Sequence, residues 1–460
     1  MMKLSLGEIA SCVDGKLLGD ETKIVSGVCT DSRKAEAGQL FVALKGEKFD
    51  AHDFIPSLAG KGVFILAERH TEGFEEILVP DTVLALGKLG AYWKKKLAPK
   101  VTVGVTGSVG KTTTKEMIAG VLGQKFRVHS TEGNFNNHIG LPLTLLSLSP
   151  EEDALVCEMG MSARGEISYL TSLARPNLAT ITNIGTSHIE MLGSRENICE
   201  AKLEILEGVE KGSTVILDGD EPLLHSADTC KKLEGYKVLY VGFDPEKNAI
   251  YPLDIYKGND SISFDAITPA GEFHVVVPAV GDHFVKDALF AIAAGVTLGI
   301  DPDRIRQGVL SYAPAGLRQK IYRQKNCRIV ADCYNASPES MQASLKVLAD
   351  FEEKEKIAVL GDMLELGDYS VPAHFEVGHQ AYRAGVTRLF CLGKAAYQIR
   401  LGAIDAGMDP EKVSHFIDRD ALIEAICKEN KNGAALLFKA SRKMKLEDII
   451  AACGLSEDHE

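Results

Sequence analysis

The chain has 460 residues, 45% of them hydrophobic, with 64 acidic against 51 basic side chains and a formal net charge of −13. That is apolar material for about three cores, and the acidic balance argues against nonspecific nucleic-acid binding, which needs a basic face to displace counterions. Ten scattered cysteines without a C-x-x-C pair do not make a disulfide framework or a zinc site, and no apolar run is long enough for a signal peptide or membrane insertion, so a cytoplasmic protein is expected.

Residues 1–84 alternate short strands and helices around TDSRKAEAGQLFVALKGEKFDAHDFI (30–55) and form a first unit. A central unit, 85–312, carries the run KVTVGVTGSVGKTTTKEMIAGVL (100–122), in which a β-branched strand breaks into a glycine-punctuated turn and then a helix-period segment. That order builds a phosphate cradle: the N–H groups of Gly107, Ser108, Val109, Gly110 and Lys111 converge on anionic oxygens at a helix N-terminus. The Lys111 ammonium reaches β/γ-phosphates and the Thr112 hydroxyl is placed for Mg²⁺. A strict P-loop has glycine where Val105 stands, so this is a variant, but a strand before and a helix after favour nucleoside triphosphate binding.

Farther along, ALVCEMG (154–160), LATITNIG (178–185) and STVILDGD (213–220) are apolar runs ending in Gly or Asp. Such strands between helices predict a doubly wound, mostly parallel sheet with ligands at the strands' C-terminal ends. A β-rich patch at 237–277 predicts a hairpin turning at PAGE (269–272), and the helix DALFAIAAGVTLGI closes the unit. The linker YAPAGLRQK (312–320) leads into a third α/β unit, 313–460, so the fold class is α/β with three domains.

Glu158 sits at a strand tip, where metal ligands of α/β enzymes collect, and His188 lies in a Gly/Thr/Ser-rich loop, NIGTSHIEMLGS, just past another strand. Lys202, in NICEAKLEIL, reads from periodicity as a solvated helix lysine with no role. The amide-dense TEGNFNNHIGLP (131–142) either binds a polar substrate or makes turns, and pattern does not choose. Asp332 and Asn335 follow one strand of the third unit; Lys439, Ser441 and Arg442 follow another. Each is singly an ordinary turn residue, yet their shared position allows them to face one cleft, with a helix starting near Pro338.

Together these residues resemble the Mur ligase family, ATP-dependent ligases that extend the peptide of the cell-wall precursor. TGSVGKTTTK, TEGNFNNHIGLP, the Glu158 strand, NIGTSHIEMLGS and the EAK at 200–202 are similar to its central domain; TDSR with FVALKGEKFDAHDFI is similar to a uridine-nucleotide domain. YNASPESM and VLGDMLELGDYSVPAHFEVG resemble the branch that joins D-alanyl-D-alanine to UDP-N-acetylmuramoyl-tripeptide, whose third residue, lysine or diaminopimelate, stays open. The alternatives are a ligase of the family with another amino acid or dipeptide, or a catalytically weakened nucleotide-binding paralogue.

The resemblance implies ATP and two Mg²⁺ ions, with Lys111 and the P-loop through Thr113 on the phosphates. Thr112 and Glu158 would hold one ion, and His188 would help hold a second. It also implies that Lys202 is carbamylated by CO₂ and helps position that ion, which requires a neutral amine and hence a depressed pKa. Ser32 and Arg33 would contact the uridine diphosphate, and Asn134 and Asn137 the sugar–peptide side. His283, Arg318 and Asp332 would face the nucleotide, with Asn335, Lys439, Ser441 and Arg442 on the substrate side. A monomer without nucleic-acid or membrane partners is implied. The chain departs from the family at GDHFVKDAL, where His283, Phe284 and Asp287 stand in an H-N-x-x-N pattern whose first asparagine pairs with adenine; relaxed base selectivity is therefore expected. It departs also at Ala440 (KASR for KGSR), at Ala51 (FDAH for FDGH) and at Ala331, before Asp332.

Overall fold

A computed structural model describes residues 2–46, 49–314, 316–429 and 431–457. Glu47 and Lys48 of the FVALKGEKFD motif and Ala315 of the expected linker lie outside the described residues. In the first unit a five-stranded sheet runs in the order Lys16–Leu18, Glu76–Leu78, Phe64–Ala67, Gln39–Val42, Gly27–Cys29. Its companion helix Leu6–Cys12 starts at a reciprocal Ser5/Glu8 capping box.

Helix Thr82–Leu97 begins on the Asp81 carboxylate, which accepts from the N–H groups of Val83 and Leu84, and it runs through the expected boundary at residue 84. Ala85, Leu86, Leu89 and Trp93 on one side enter the first core. The helix also meets the central unit: the Trp93 indole N–H donates to the Leu148 carbonyl at 2.9 Å. A Cβ at Gly90 would stand 3.0 Å from the Pro142 oxygen, so the two helices touch through backbone. This helix couples the first sheet to the amide-dense segment.

The central sheet is wholly parallel, in the order Lys237–Val241, Thr214–Asp218, Leu178–Ile181, Val101–Thr106, Ala154–Glu158, Val128–Ser130. Helices cover both faces, which is why the interior strands are almost uninterrupted apolar runs. Register sets Glu158 opposite Val105 and Ile181 opposite Thr106, so three strands end together and deliver the P-loop, Glu158 and the 182–188 loop to one edge. Helix Lys111–Leu122 packs on Asp282–Thr297. The hairpin Ile262–Thr268/Gly271–Val277 turns at Pro269 and Ala270, as its sequence predicts.

The third unit repeats the theme: Lys320–Gln324, antiparallel at the edge, then Cys327–Asp332, Ala435–Lys439, Lys356–Gly361, Arg388–Leu392 and Val413–Phe416, all parallel. Helix Pro338–Asp350 is capped by Ser337, with proline at its first position. Among the described residues no helix is long and apolar enough to cross a membrane.

Candidate active site

The strand ends of the central and third units face one another across a cleft of about 810 Å³. Two P-loop glycines are forced by crowding. A Cβ at Gly107 would stand 1.8 Å from the Thr182 hydroxyl, and one at Gly110 would stand 2.6 Å from Asp287 Oδ1. The expected fan of amides is modified, however. The N–H groups of Ser108 and Val109 both donate to the side-chain oxygen of Asn183, at 2.9 and 3.0 Å, because an amide at the neighbouring strand's exit satisfies donors that would otherwise be orphaned. Lys111 Nζ donates to the carbonyls of Gly107 and Ser108, at 2.8 and 3.2 Å. The helix's first-turn N–H groups, from Lys111 to Thr113, are then the natural anion donors.

Behind the loop, Thr112 Oγ1 donates to Glu158 Oε2 at 2.7 Å, and Asn136 Nδ2 donates to Oε1 at 2.7 Å. The Glu158 N–H donates to Thr131 Oγ1 at 3.0 Å, which fixes the strand tip. A buried hydroxyl and a carboxylate side by side form the hard-oxygen donor set that suits Mg²⁺. Asn136, which the sequence reading passed over for its neighbours Asn134 and Asn137, is the amide that touches Glu158. Asn134 and Asn137 do line the cleft, and the Asn137 side chain also accepts the N–H groups of Ile139 and Gly140 at the start of the next helix.

His188 lines the same cleft in the left-handed region, at φ 63°. Its Nδ1 lies 2.7 Å from Glu365 Oε2 of the third unit. Burial, helped by the Lys111 charge, lowers its pKa against the pull of Glu365. With Nδ1 next to the carboxylate, Nε2 is the ring nitrogen left for a metal, the division of roles that a histidine ligand uses. Glu365 belongs to GDMLELG. The sequence signalled that segment as distinctive without giving this residue a role.

Lys202 corrects the reading from periodicity. It is 1% exposed, not solvated, and among the described residues its side chain has no hydrogen bond or ion pair. Burial, with the nearby Lys111 charge adding to it, lowers its pKa well below the ordinary lysine range.

On the third unit, Asp332 and Lys439 face each other at 2.5 Å, and Ser344 also donates to Asp332, at 2.7 Å. Both line the cleft, where the resemblance expects them to meet ligands. Their neighbouring strands instead set them opposite in register, so each charge first answers the other. Lys439 also donates to the Asn335 carbonyl at 3.1 Å. The Ser441 hydroxyl accepts the Leu364 N–H at 2.9 Å and so pins GDMLELG, while Arg442 lines the cleft paired with Glu447. Glu339 bridges the units, accepting from the Thr186 N–H and hydroxyl at 2.8 and 2.9 Å.

On the expected base side, Arg318 lies over the Tyr334 ring at 3.7 Å. Burial pushes the His283 pKa down to about 4. The Phe284 ring packs against His283 and Tyr312, at 4.3 and 5.9 Å between centroids. Ser32 and Arg33 stand outside this cleft. The Arg33 fork closes on Asp31, two residues away, with Nε and Nη2 at 2.9 and 2.8 Å, and that pairing holds Asp31 at about 2.

Asp287 is buried against the P-loop, accepting from Thr114 Oγ1 at 2.9 Å. Burial pushes its pKa up to about 7, opposed by Thr114 and by the Lys286 charge. A carboxyl raised on folding contributes stability that is complete below its unfolded pKa, near 4, and lost as pH rises through the folded value. Asp287→Asn is therefore expected to raise the thermal midpoint above about pH 7, by the equivalent of roughly 1–3 kcal/mol, with the gain vanishing below about pH 4. Melting curves across that range check it; a gain independent of pH would refute it.

Residues 24–83 match the Mur ligase family catalytic domain, 105–295 the Mur ligase middle domain and 318–442 the Mur ligase glutamate ligase domain. The UDP-N-acetylmuramoyl-tripeptide--D-alanyl-D-alanine ligase of Bacillus subtilis (strain 168) is 41% identical over 98% of each chain. A crystal structure of MurF from Acinetobacter baumannii superposes with a TM-score of 0.92 at 30% identity, covering 98% of this chain and 99% of that one. MurF ligase from Thermotoga maritima, crystallised in complex with ADP, gives 0.82 at 30% identity, covering 93% and 96%. On these grounds the chain belongs to the Mur ligase family.

Proposed function

We propose that this chain is the ATP-dependent ligase that joins D-alanyl-D-alanine to UDP-N-acetylmuramoyl-tripeptide, working in the cytoplasm as a monomer through its three domains. The observation that carries the reading is the His188–Glu365 pair: the segment resembling the dipeptide-adding branch supplies the carboxylate that orients the histidine of the P-loop unit. The 41% identical relative bears a name for the same reaction.

In this reading ATP gives its γ-phosphoryl group to the terminal carboxylate of the tripeptide. The amine of the dipeptide attacks the acyl phosphate, and the tetrahedral intermediate collapses to amide and phosphate. Both steps crowd anionic oxygens, so preorganised positive charge is the main requirement. Lys111 and the first-turn N–H groups through Thr113 hold the phosphates. Thr112 and Glu158 would hold one Mg²⁺, and Nε2 of His188 would serve a second. Such ions would supply positive charge against the crowded anionic oxygens.

Lys202 fits carbamylation on its own chemistry. Burial and the Lys111 charge disfavour the ammonium form and leave a nucleophilic amine, and its reaction with CO₂, with loss of one N–H proton to solvent, would give an anion that Lys111 attracts. Arg318, Tyr334 and His283 form the nucleotide side, and Ser32 and Arg33 the uridine end. The deciding measurement is phosphate release with UDP-N-acetylmuramoyl-tripeptide and D-alanyl-D-alanine, together and singly. Sustained release is expected only with both. Release with the tripeptide alone, or a clear preference for another dipeptide, would overturn the assignment.

A further inference from the structure

A second cavity, of about 470 Å³, opens beside the cleft and shares Asn137, Gly160 and Glu166 with it. Its walls combine two chemistries. Leu84, exposed on the helix from the first unit, and Leu170 of the helix Glu166–Ala174 give it an apolar side. Arg164 and Glu166 give it one cation and one anion, and the Tyr169 hydroxyl at its wall is buried without a hydrogen-bond partner among the described residues.

The charged end is held in place. Arg164 Nη2 donates to Asn197 Oδ1 at 2.7 Å, and Asn197 Nδ2 in turn donates to the Leu192 carbonyl at 2.6 Å. The Glu204 carboxylate takes the Gly165 N–H with both oxygens, at 2.8 and 3.0 Å, fixing the turn between Arg164 and Glu166. Glu166 Oε2 accepts the Ser162 N–H at 2.7 Å. Among the described residues Arg164 pairs with no carboxylate, so the rest of its fork is available to an anion.

We propose that this cavity receives the side chain of the tripeptide's third residue, and that Arg164 selects a side chain ending in a zwitterion over one ending in an ammonium alone. The proposal rests on the functional reading above. Ligation takes place at the third residue's own carboxylate, so its side chain must find room next to the cleft. The apolar wall suits a methylene run. The Arg164/Glu166 pair complements a carboxylate beside an ammonium, as in diaminopimelate, whereas lysine would leave the guanidinium unanswered.

The test compares phosphate release by the full chain with tripeptides ending in diaminopimelate and in lysine, each with D-alanyl-D-alanine. The expected kcat/KM favours diaminopimelate by about tenfold or more, the scale of one charge-assisted contact. Arg164→Met should bring the ratio close to one, chiefly by raising KM for the diaminopimelate substrate. Arg164→Lys should keep part of the preference, since it retains the charge without the fork. Equal use of both tripeptides by the unmodified chain, or an unchanged ratio in Arg164→Met, overturns the proposal. Turnover of neither tripeptide would overturn the functional reading itself and this inference with it.

Discussion

Lys202→Ala is expected to lower kcat by about 10²–10³ or more, the scale set by losing one preorganised charge at a phosphoryl-transfer centre. Short carboxylic acids such as acetate or propionate should restore part of that activity, because the space left by the side chain lies where a carboxylate is wanted. The unmodified chain, prepared free of CO₂, should gain activity on adding bicarbonate. No rescue by carboxylates together with indifference to bicarbonate would rule the carbamate out. Lys202→Met separates this role from a structural one. The buried lysine is held neutral in the fold and charged when unfolded, so the fold binds fewer protons and its stability rises with pH. Its cost is therefore absent above the ordinary lysine value of about 10.4 and grows as pH falls toward neutrality. Methionine fills similar volume without a charge, so the variant should melt at or above the parent temperature near neutral pH while remaining inactive. A variant both active and destabilised would make Lys202 a packing residue.

The helix Arg195–Leu203 shows how much of the site could be read from sequence. Lys202 follows Ile198 by four positions and Cys199 by three, so periodicity does put it on the buried face. The reading of a solvated lysine from periodicity therefore mistakes the face, and the spacing from these two buried neighbours is the better guide. The P-loop was legible because all its causes are local: a strand, glycines at crowded turns and a helix start. The parallel sheets were legible because strands covered on both faces must be apolar throughout. Long-range pairings were not. Asn183 reaches Ser108 and Val109 only because its strand happens to lie beside the P-loop strand. Asp332 meets Lys439 through the register of two strands more than a hundred residues apart in the chain. Glu365 meets His188 only where the central and third units face each other. Motif spacing carries no information about that contact, although GDMLELG lies in the stretch that carries the branch resemblance.

Glu158→Gln is the substitution that isolates charge at the P-loop, because the hydrogen bonds around it can survive the change. Glu158 accepts from Asn136 through one oxygen and from the Thr112 hydroxyl through the other. A glutamine can keep its oxygen toward Asn136 and donate its amide to Thr112, whose hydroxyl serves as donor or acceptor. The fold should therefore tolerate the variant, with a thermal midpoint close to the parent's. What disappears is the negative charge, and the reversed hydrogen bond also occupies the Thr112 oxygen that a cation would use. Both effects weaken a hard-cation site whose affinity depends on the number of charged ligands. Phosphate release should fall by about 10³ at moderate Mg²⁺, and the Mg²⁺ concentration for half-maximal rate should rise. Glu158→Asp keeps the charge but withdraws it from Thr112 and Asn136, so it should lose less rate and recover more of it at high Mg²⁺. If Glu158→Gln instead stays within about threefold of the parent at every Mg²⁺ concentration, less than one typical charged contact, Glu158 merely braces the P-loop helix and the cation is held elsewhere in the cleft.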